Sequence, residues 1–207
     1  MKMPPLRAQH GLVFAAVALL FFAWGAWLVR PPQPAAPLPW LGEWQREVLA
    51  PLADDRLSLA GLRAKVDGEL WLQPRLDGAR LLYRGEWQAG GEVWALEAEL
   101  ALNEAERDSL MAAAGLGAKD AEQPLGGQLV AELGRHAVIG LSLRPHGELA
   151  AERLAATLGQ PRLRLELATG QAWVYPKLGL TAHTEDEQLR LLHVVPLHLL
   201  RQRQSNP

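Results

Sequence analysis

Residues 79–102, ARLLYRGEWQAGGEVWALEAELAL, decide the fold class of this chain. On both sides of the Ala-Gly-Gly segment at residues 89–91, apolar and polar residues alternate, as they do in β-strands with one buried face. A glycine-rich loop between two such runs predicts a β-hairpin with strands over residues 79–88 and 92–102. The sheet is therefore predicted to be antiparallel at this point.

The segments next to this hairpin predict one more strand and a helix. Residues 62–73 also alternate between apolar and polar side chains and predict a strand before the hairpin. After the hairpin, Asn103 with Glu106 three residues later is typical of a helix N-terminus, and this helix is predicted to end before Gly115.

The rest of the chain adds further strands and helices. The predicted strands cover residues 128–133, 136–144, 162–167, 172–180 and 189–200. The predicted helices cover residues 40–52 and 148–158. We therefore expect an α+β domain, in which two or three short helices cover one face of an antiparallel sheet.

An apolar run precedes this domain. Residues 11–29, GLVFAAVALLFFAWGAWLV, contain no charged side chain, and a helix of this length can cross the ~30 Å hydrocarbon core of a bilayer. Trp24 and Trp27 suit the membrane interface at its C-terminal end. The sequence predicts one transmembrane helix over residues 11–29 that contacts the lipid bilayer.

The flanking charges predict its orientation. Lys2 and Arg7 precede the run, and Arg30 alone follows closely, so the positive-inside rule places the N-terminus in the cytoplasm. We expect a single-pass protein of the bacterial inner membrane with most of the chain in the periplasm. A cleaved signal peptide is the alternative, but its apolar part usually has only about 7 to 15 residues.

Small residues lie near one stripe of the predicted transmembrane helix, where they would allow another helix to approach closely. These candidate packing residues are Gly11, Ala15, Ala18 and Gly25. Glycine and alanine are also common in transmembrane helices generally, which is a simpler explanation of the same pattern.

Five prolines in residues 31–39 predict an extended polyproline II segment, which acts as a stiff spacer. The predicted organisation is a cytoplasmic stub over residues 1–10, the transmembrane helix over 11–29, a spacer over 30–39, the α+β domain over 40–200 and a flexible tail over 201–207.

Composition excludes several classes of function. The chain has 207 residues, 21 basic and 23 acidic side chains and no cysteine. A formal net charge of −2 argues against nucleic acid as a partner. The absence of cysteine removes disulfides, thiolate metal sites and cysteine nucleophiles.

Candidate catalytic and metal-binding groups have simpler explanations. His183, Glu185, Asp186 and Glu187 offer nitrogen and oxygen ligands, but an acidic turn between strands has the same composition. Glu97 and Glu99 share one side of a predicted strand and are explained as its solvent face. We therefore expect no catalytic site, no metal and no cofactor.

The last predicted strand is a candidate docking site, represented by Leu192, Val194 and Pro196. Apolar side chains occupy both of its faces, so something beyond one side of the sheet should cover them. A proline lacks the N–H of the ladder and places a strand at a sheet edge, where a partner strand can add. The alternative cover is the helix predicted over residues 148–158.

By analogy, the layout of stub, transmembrane helix, spacer and small domain resembles that of single-pass accessory subunits of bacterial envelope machines, such as secretion or pilus-type complexes. We expect a scaffold or assembly subunit that is not an enzyme and docks other membrane and periplasmic envelope proteins. The alternative is a membrane-anchored lipid or glycan carrier.

Overall fold

A computed structural model of the chain describes residues 8–28 and 35–200, with side chains from residue 13 onward. The chain divides into two compact units, Met1–Pro34 and Ala35–Pro207. Parts of the predicted stub, transmembrane helix and spacer, and the whole predicted tail, lie outside the described residues, at positions 1–7, 29–34 and 201–207. The predicted organisation of the chain stays a prediction.

Helix α1 (Ala8–Leu28) belongs to the first unit. Its large apolar side chains between residues 13 and 28 are exposed, from 44% for Val17 to 82% for Phe22. Within residues 8–28 and 35–200, none of the helices combines the length and the hydropathy that crossing a membrane requires. The transmembrane helix over residues 11–29 therefore stays a prediction, and so does the packing stripe of Gly11, Ala15, Ala18 and Gly25.

The second unit contains one large antiparallel sheet and several helices. Its strands are β1 (Gly68–Gln73), β2 (Arg80–Ala89), β3 (Glu92–Leu100), β4 (Gln123–Pro124), β5 (Val138–Pro145), β6 (Leu163–Glu166), β7 (Gln171–Tyr175), β8 (Leu180–Glu185) and β9 (Gln188–Val194). Its α-helices are α2 (Leu41–Trp44), α3 (Ala50–Ala53), α4 (Leu59–Arg63), α5 (Glu104–Ala114), α6 (Gly127–Glu132) and α7 (Glu152–Leu158). The predicted α+β class is confirmed, while the predicted number of helices is too low.

The nine strands in the described residues lie in the order β4-β1-β2-β3-β5-β9-β8-β7-β6. Strands β1, β2, β3 and β5 follow one another across the sheet. The chain then crosses through α7 to the far edge at β6, and β7, β8 and β9 return until β9 lies beside β5. Strand β9, the last strand that the structure describes, therefore lies inside the sheet.

The predicted hairpin of residues 79–102 is confirmed as β2 and β3. Trp87 pairs with Trp94, and Ala89 pairs with Glu92 at the tip. Gly90 and Gly91 have φ of 62° and 85°, a left-handed pair that glycine adopts without steric cost.

The predicted helix after Asn103 is confirmed as α5. The Asn103 side chain accepts a hydrogen bond from the Glu106 N–H at 2.9 Å, and the Glu106 carboxylate accepts one from the Asn103 N–H at 2.9 Å. These two bonds form a capping box. Gly115, with φ of 66°, ends the helix as predicted.

The strand prediction for residues 62–73 is wrong in its first half, which contains the end of α4 and a turn. The Ser58 hydroxyl caps α4 by accepting a hydrogen bond from the Gly61 N–H at 3.2 Å. Leu62 and Val66 are both buried, and their spacing of four fits a helical turn as well as alternation fits a strand. The strand begins at Gly68.

The strand predicted over residues 128–133 is also wrong. This segment is helix α6, followed by a 3-10 turn over Leu133–Arg135. Helix α6 packs against β1 through its buried Val130. A short apolar run has no periodicity that separates a strand from a helix, so tertiary packing decides.

The C-terminal strands are shorter than predicted. The run over residues 172–180 is divided by a 3-10 turn at Pro176–Leu178, and the run over 189–200 ends at Val194, after which residues 197–200 are helical. The turn between β6 and β7 requires Gly170, which has φ of 75° and whose added Cβ would lie 1.9 Å from the Thr184 carbonyl oxygen.

The hydrophobic core lies between one face of the sheet and the helices. Alternate residues of the strands point into it, including the fully buried Leu70, Tyr83 and Trp94. The helices contribute Leu41, Leu52, Leu59, Leu62 and Leu154 to the same cluster, and the π-helical turn Gln45–Leu49 between α2 and α3 contributes Val48. Leu38 is also buried, and its N–H donates to the Thr157 hydroxyl of α7 at 2.7 Å. The opposite face of the sheet carries mostly partly exposed polar side chains, and we call it the open face.

Candidate docking surface

The open face contains a shallow trough of about 710 Å³ across β1, β2, β3 and β5. Strand alternation brings its side chains together, because Glu69 pairs with Arg84, Arg84 with Glu97, and Glu97 with Ser142 across successive strands. Trp71, Glu86 and Arg144 also line the trough. The trough is thus built on paired strands.

Arg84 is the centre of the ion pairs in this trough. Its Nε lies 2.8 Å from Glu97 Oε2, and its Nη1 and Nη2 lie 2.5 Å and 3.1 Å from the two oxygens of Glu122. Gln73 donates a further hydrogen bond to Glu122 at 3.1 Å. The bidentate geometry ties the segment before β4 to the middle of β2.

These contacts shift the ionisation of both partners. Its hydrogen bond with Arg84 lowers the pKa of Glu122 below the ordinary value, against a smaller opposing effect of burial. The hydrogen bond to Glu122 raises the pKa of Arg84 in turn. The pair is therefore ionised at neutral pH.

Trp71 adds an aromatic surface to the trough. The Arg84 guanidinium lies 5.4 Å from the centre of the Trp71 ring, within the range of a cation–π contact. Tryptophan and arginine are the residue types that contribute most strongly to protein–protein interfaces. The trough therefore combines charged groups of both signs with an aromatic ring.

A smaller trough of about 260 Å³ continues along the open face towards β9. Here Ser142 Oγ lies 3.1 Å from His193 Nδ1, and Arg80 Nε lies 3.5 Å from Glu99 Oε1. Ser142 pairs with Glu97 on one side and with His193 on the other. The Ser142 backbone therefore takes part in the sheet ladder. If Ser142 and His193 acted as nucleophile and base in acyl transfer, other groups would have to donate the hydrogen bonds that stabilise the oxyanion.

Replacing Glu122 with glutamine is expected to destabilise the domain by about 1 kcal/mol at pH 7, a small value because the 34% exposed carboxylate is screened by water. The folded-state pKa lies below that of the unfolded chain. The stabilisation is therefore complete above about pH 4.3 and is lost as the pH falls through the folded-state pKa. Urea unfolding of both proteins between pH 3 and pH 7 (about one unit per step) measures it. If the difference in unfolding free energy between the native protein and Glu122→Gln does not decrease as the pH falls, the ion pair is contradicted.

The structure places the predicted docking residues in the interior. Leu192 and Val194 are 1% and 0% exposed, and Pro196 is buried just after β9. The expected edge position is wrong, because β9 lies between β5 and β8. The partner-binding role of these residues stays a prediction without its edge-strand argument. The second face of β9 belongs to the open face, where His193 and Leu191 are partly exposed.

The residues weighed as metal ligands lie on β8 and its turn. His183 and Glu185 belong to β8, and Asp186 and Glu187 form the turn to β9 with φ of 49° and 62°. Among residues 8–28 and 35–200, no group of three or more such side chains is arranged to hold a metal ion.

Two features escaped the sequence predictions. Alternation in β2 places Arg84 and Glu86 of the trough on one face, and this part of the trough could be predicted from the sequence. The position of Glu122 could not be predicted, because the chain passes through α5 before Glu122 reaches Arg84. The other feature is a groove of about 650 Å³ beside the outer strand β6, between Ala155 and Ala156 of α7 and Arg164 and Trp173.

Comparison with known proteins adds no relative. No family model, curated protein or solved structure has significant similarity to this chain.

Proposed function

We propose that this protein is a single-pass scaffold or assembly subunit of a bacterial envelope machine of the secretion or pilus type, without enzymatic activity of its own. Its N-terminal helix would hold it in the inner membrane with the N-terminus in the cytoplasm. The periplasmic domain would dock other membrane and periplasmic envelope proteins through the open-face trough.

The exposure of helix α1 carries this proposal. Apolar side chains such as Phe14, Phe21 and Trp24 are 58% to 71% exposed, and apolar surface of this extent needs a cover. In the sequence, the apolar run continues from residue 11 to residue 29, beyond the side chains that the structure describes. A lipid bilayer covers such a run without any further binding partner.

The trough supports the docking part of the proposal. Its rim contains both signs of charge, with Arg84 and Glu97 paired and Arg144 exposed. Charged groups of this kind select partners by electrostatic complementarity and accelerate association. We therefore expect the docked surface to be a polar, charged segment of another extracytoplasmic domain.

The alternative role as a glycan carrier is favoured by one observation. Trp71 lines the trough among carboxylate and guanidinium groups, so that an aromatic ring and hydrogen-bonding groups lie together. A lipid carrier has less support, because leucines and tryptophans of the domain itself fill its core.

Photo-crosslinking in intact cells tests the proposed docking. A crosslinking residue replacing the exposed Glu86 should give adducts with the extracytoplasmic domains of integral membrane proteins. The same residue at the exposed Ser109 on α5 serves as the matched control. Adding Arg144→Glu should reduce the Glu86 adducts by at least about fivefold.

Deletion of residues 1–34 completes this experiment. The shortened protein should leave the membrane fraction and lose the adducts. Equal adducts from both positions would overturn the docking proposal, and unchanged membrane association would overturn the anchor. Adducts with glycan alone would favour the carrier.

A further inference from the structure

Strand β6 (Leu163–Glu166) is an exposed outer edge of the sheet. It pairs with β7 on one side, and in the described part of the chain no strand pairs with its other side. All four residues are exposed. An edge of this kind offers unpaired backbone groups to another strand.

The hydrogen bonds of the β6–β7 hairpin show which backbone groups face outward. The Leu167 N–H donates to the Gly170 carbonyl at 3.0 Å. In an antiparallel pair, hydrogen-bonded positions alternate, so Leu163 and Leu165 also face β7. The N–H and carbonyl groups of Arg164 and Glu166 are therefore directed to the open edge.

The side chains of β6 are complementary to those of a second, antiparallel β6. Leu163 and Leu165, and Leu167 directly after the strand, are 44% to 49% exposed. Leu163 and Leu165 lie on the open face, since they pair with Val174 and Ala172. Arg164 and Glu166 lie on the other face, beside the groove under α7. The edge thus presents two leucines, Leu163 and Leu165, on the open face and one charge of each sign on the other face.

Contacts within the domain hold both charges near the edge. The Arg164 guanidinium lies 4.5 Å from the Trp173 ring centre and donates to Gln160 Oε1 at 2.9 Å. Glu166 Oε1 accepts a hydrogen bond from Gln171 Nε2 at 2.8 Å. Little side-chain entropy remains to be lost when a partner strand arrives.

We propose that β6 pairs antiparallel with β6 of a second copy of this chain about a twofold axis, forming one continuous sheet across the dimer. Leu165 of both copies meets at the axis, Leu163 faces the partner's Leu167, and Arg164 faces the partner's Glu166. The open backbone groups belong to Arg164 and Glu166, so the ladder and the ion pairs form in the same register.

Other pairing registers of the two β6 strands are less stable. A shift by one residue places inward-facing backbone groups opposite outward-facing ones and leaves the ladder unmade. A shift by two residues places Arg164 opposite Arg164, or Glu166 opposite Glu166, and like charges directly opposite destabilise a strand pair. A second copy is therefore the occupant that this edge fits best, and closed twofold dimers are the commonest oligomers.

Engineered cysteines test the register, because the native chain contains none. Leu165 is a non-hydrogen-bonded position on the axis, where Cα atoms lie about 4.5 Å apart, within the range for a disulfide. Under mild oxidation of the full chain in detergent, Leu165→Cys should form a disulfide-linked dimer. Leu163→Cys alone should not, whereas Leu163→Cys with Leu167→Cys should.

Leu76→Cys is the control: Leu76 is 84% exposed, so this variant measures the yield of disulfide-linked dimer from random collision. A Leu165→Cys yield no higher than this control, or an equal yield from Leu163→Cys alone, would overturn the proposal. Intrinsic fluorescence confirms that each variant is folded.

Charge reversal gives a second, independent measurement. Arg164→Glu should weaken the dimer roughly tenfold in sedimentation experiments, because two ion pairs become like-charge pairs. Adding Glu166→Arg restores opposite charges and should restore the affinity. A monomeric native chain, or a double variant as weak as the single one, would contradict the pairing. This surface is separate from the open-face trough, so either proposal can fail without the other.

Discussion

Replacing Val194 with aspartate is expected to unfold the domain. Val194 is 0% exposed and pairs with Leu141 on β5 and Leu180 on β8, which are also buried. A carboxylate here would lose its hydration without gaining a partner, at a cost above about 4 kcal/mol. Typical domains are stable by only about 5 to 15 kcal/mol. Far-UV circular dichroism and urea unfolding of the full chain in detergent measure the loss.

Arg190→Asp is the matched control in the same strand. Arg190 is exposed and lies 3.4 Å from Glu185, so this change should cost less than about 1 kcal/mol. If Val194→Asp folds as well as Arg190→Asp does, Val194 does not belong to the hydrophobic core.

Replacing Trp94 with alanine is expected to cost about 4 kcal/mol. Trp94 is 0% exposed and belongs to a cluster with Trp40, Trp44 and Trp87. The Trp40 and Trp94 ring centres lie 5.0 Å apart with an interplanar angle of 72°, an edge-to-face geometry that adds to the hydrophobic gain. Removing the indole leaves a cavity where the segment before α2 meets the β2–β3 hairpin.

Trp94→Phe separates the contribution of the buried aromatic ring from that of the indole N–H. The Trp94 Nε1 atom is buried and has no hydrogen-bond acceptor among the described residues, so phenylalanine removes a polar group that is costly to bury. We expect a loss below half of that for alanine in urea unfolding followed by circular dichroism. Equal losses for both variants would show that the indole N–H contributes favourably.

Local pattern was sufficient where local interactions decide the structure. The β2–β3 hairpin needs only alternation and two glycines, and α5 needs only the reciprocal hydrogen bonds of Asn103 and Glu106. It was insufficient for residues 62–67 and 128–133, where short apolar runs fit a strand and a helix equally well. In both segments, packing of buried Leu62 or Val130 against the core selects the helix.

The sequence alone determined that an apolar N-terminal run precedes an α+β domain with an antiparallel sheet, because periodicity and composition act along the chain. Only the tertiary structure decided the order of the strands. In the folded protein β9 lies inside the sheet and not at the edge that the sequence predicted, β6 is one of the two outer strands, and Glu122 contacts Arg84. These positions depend on contacts between residues far apart in the chain, which no local pattern encodes, and both candidate surfaces rest on them.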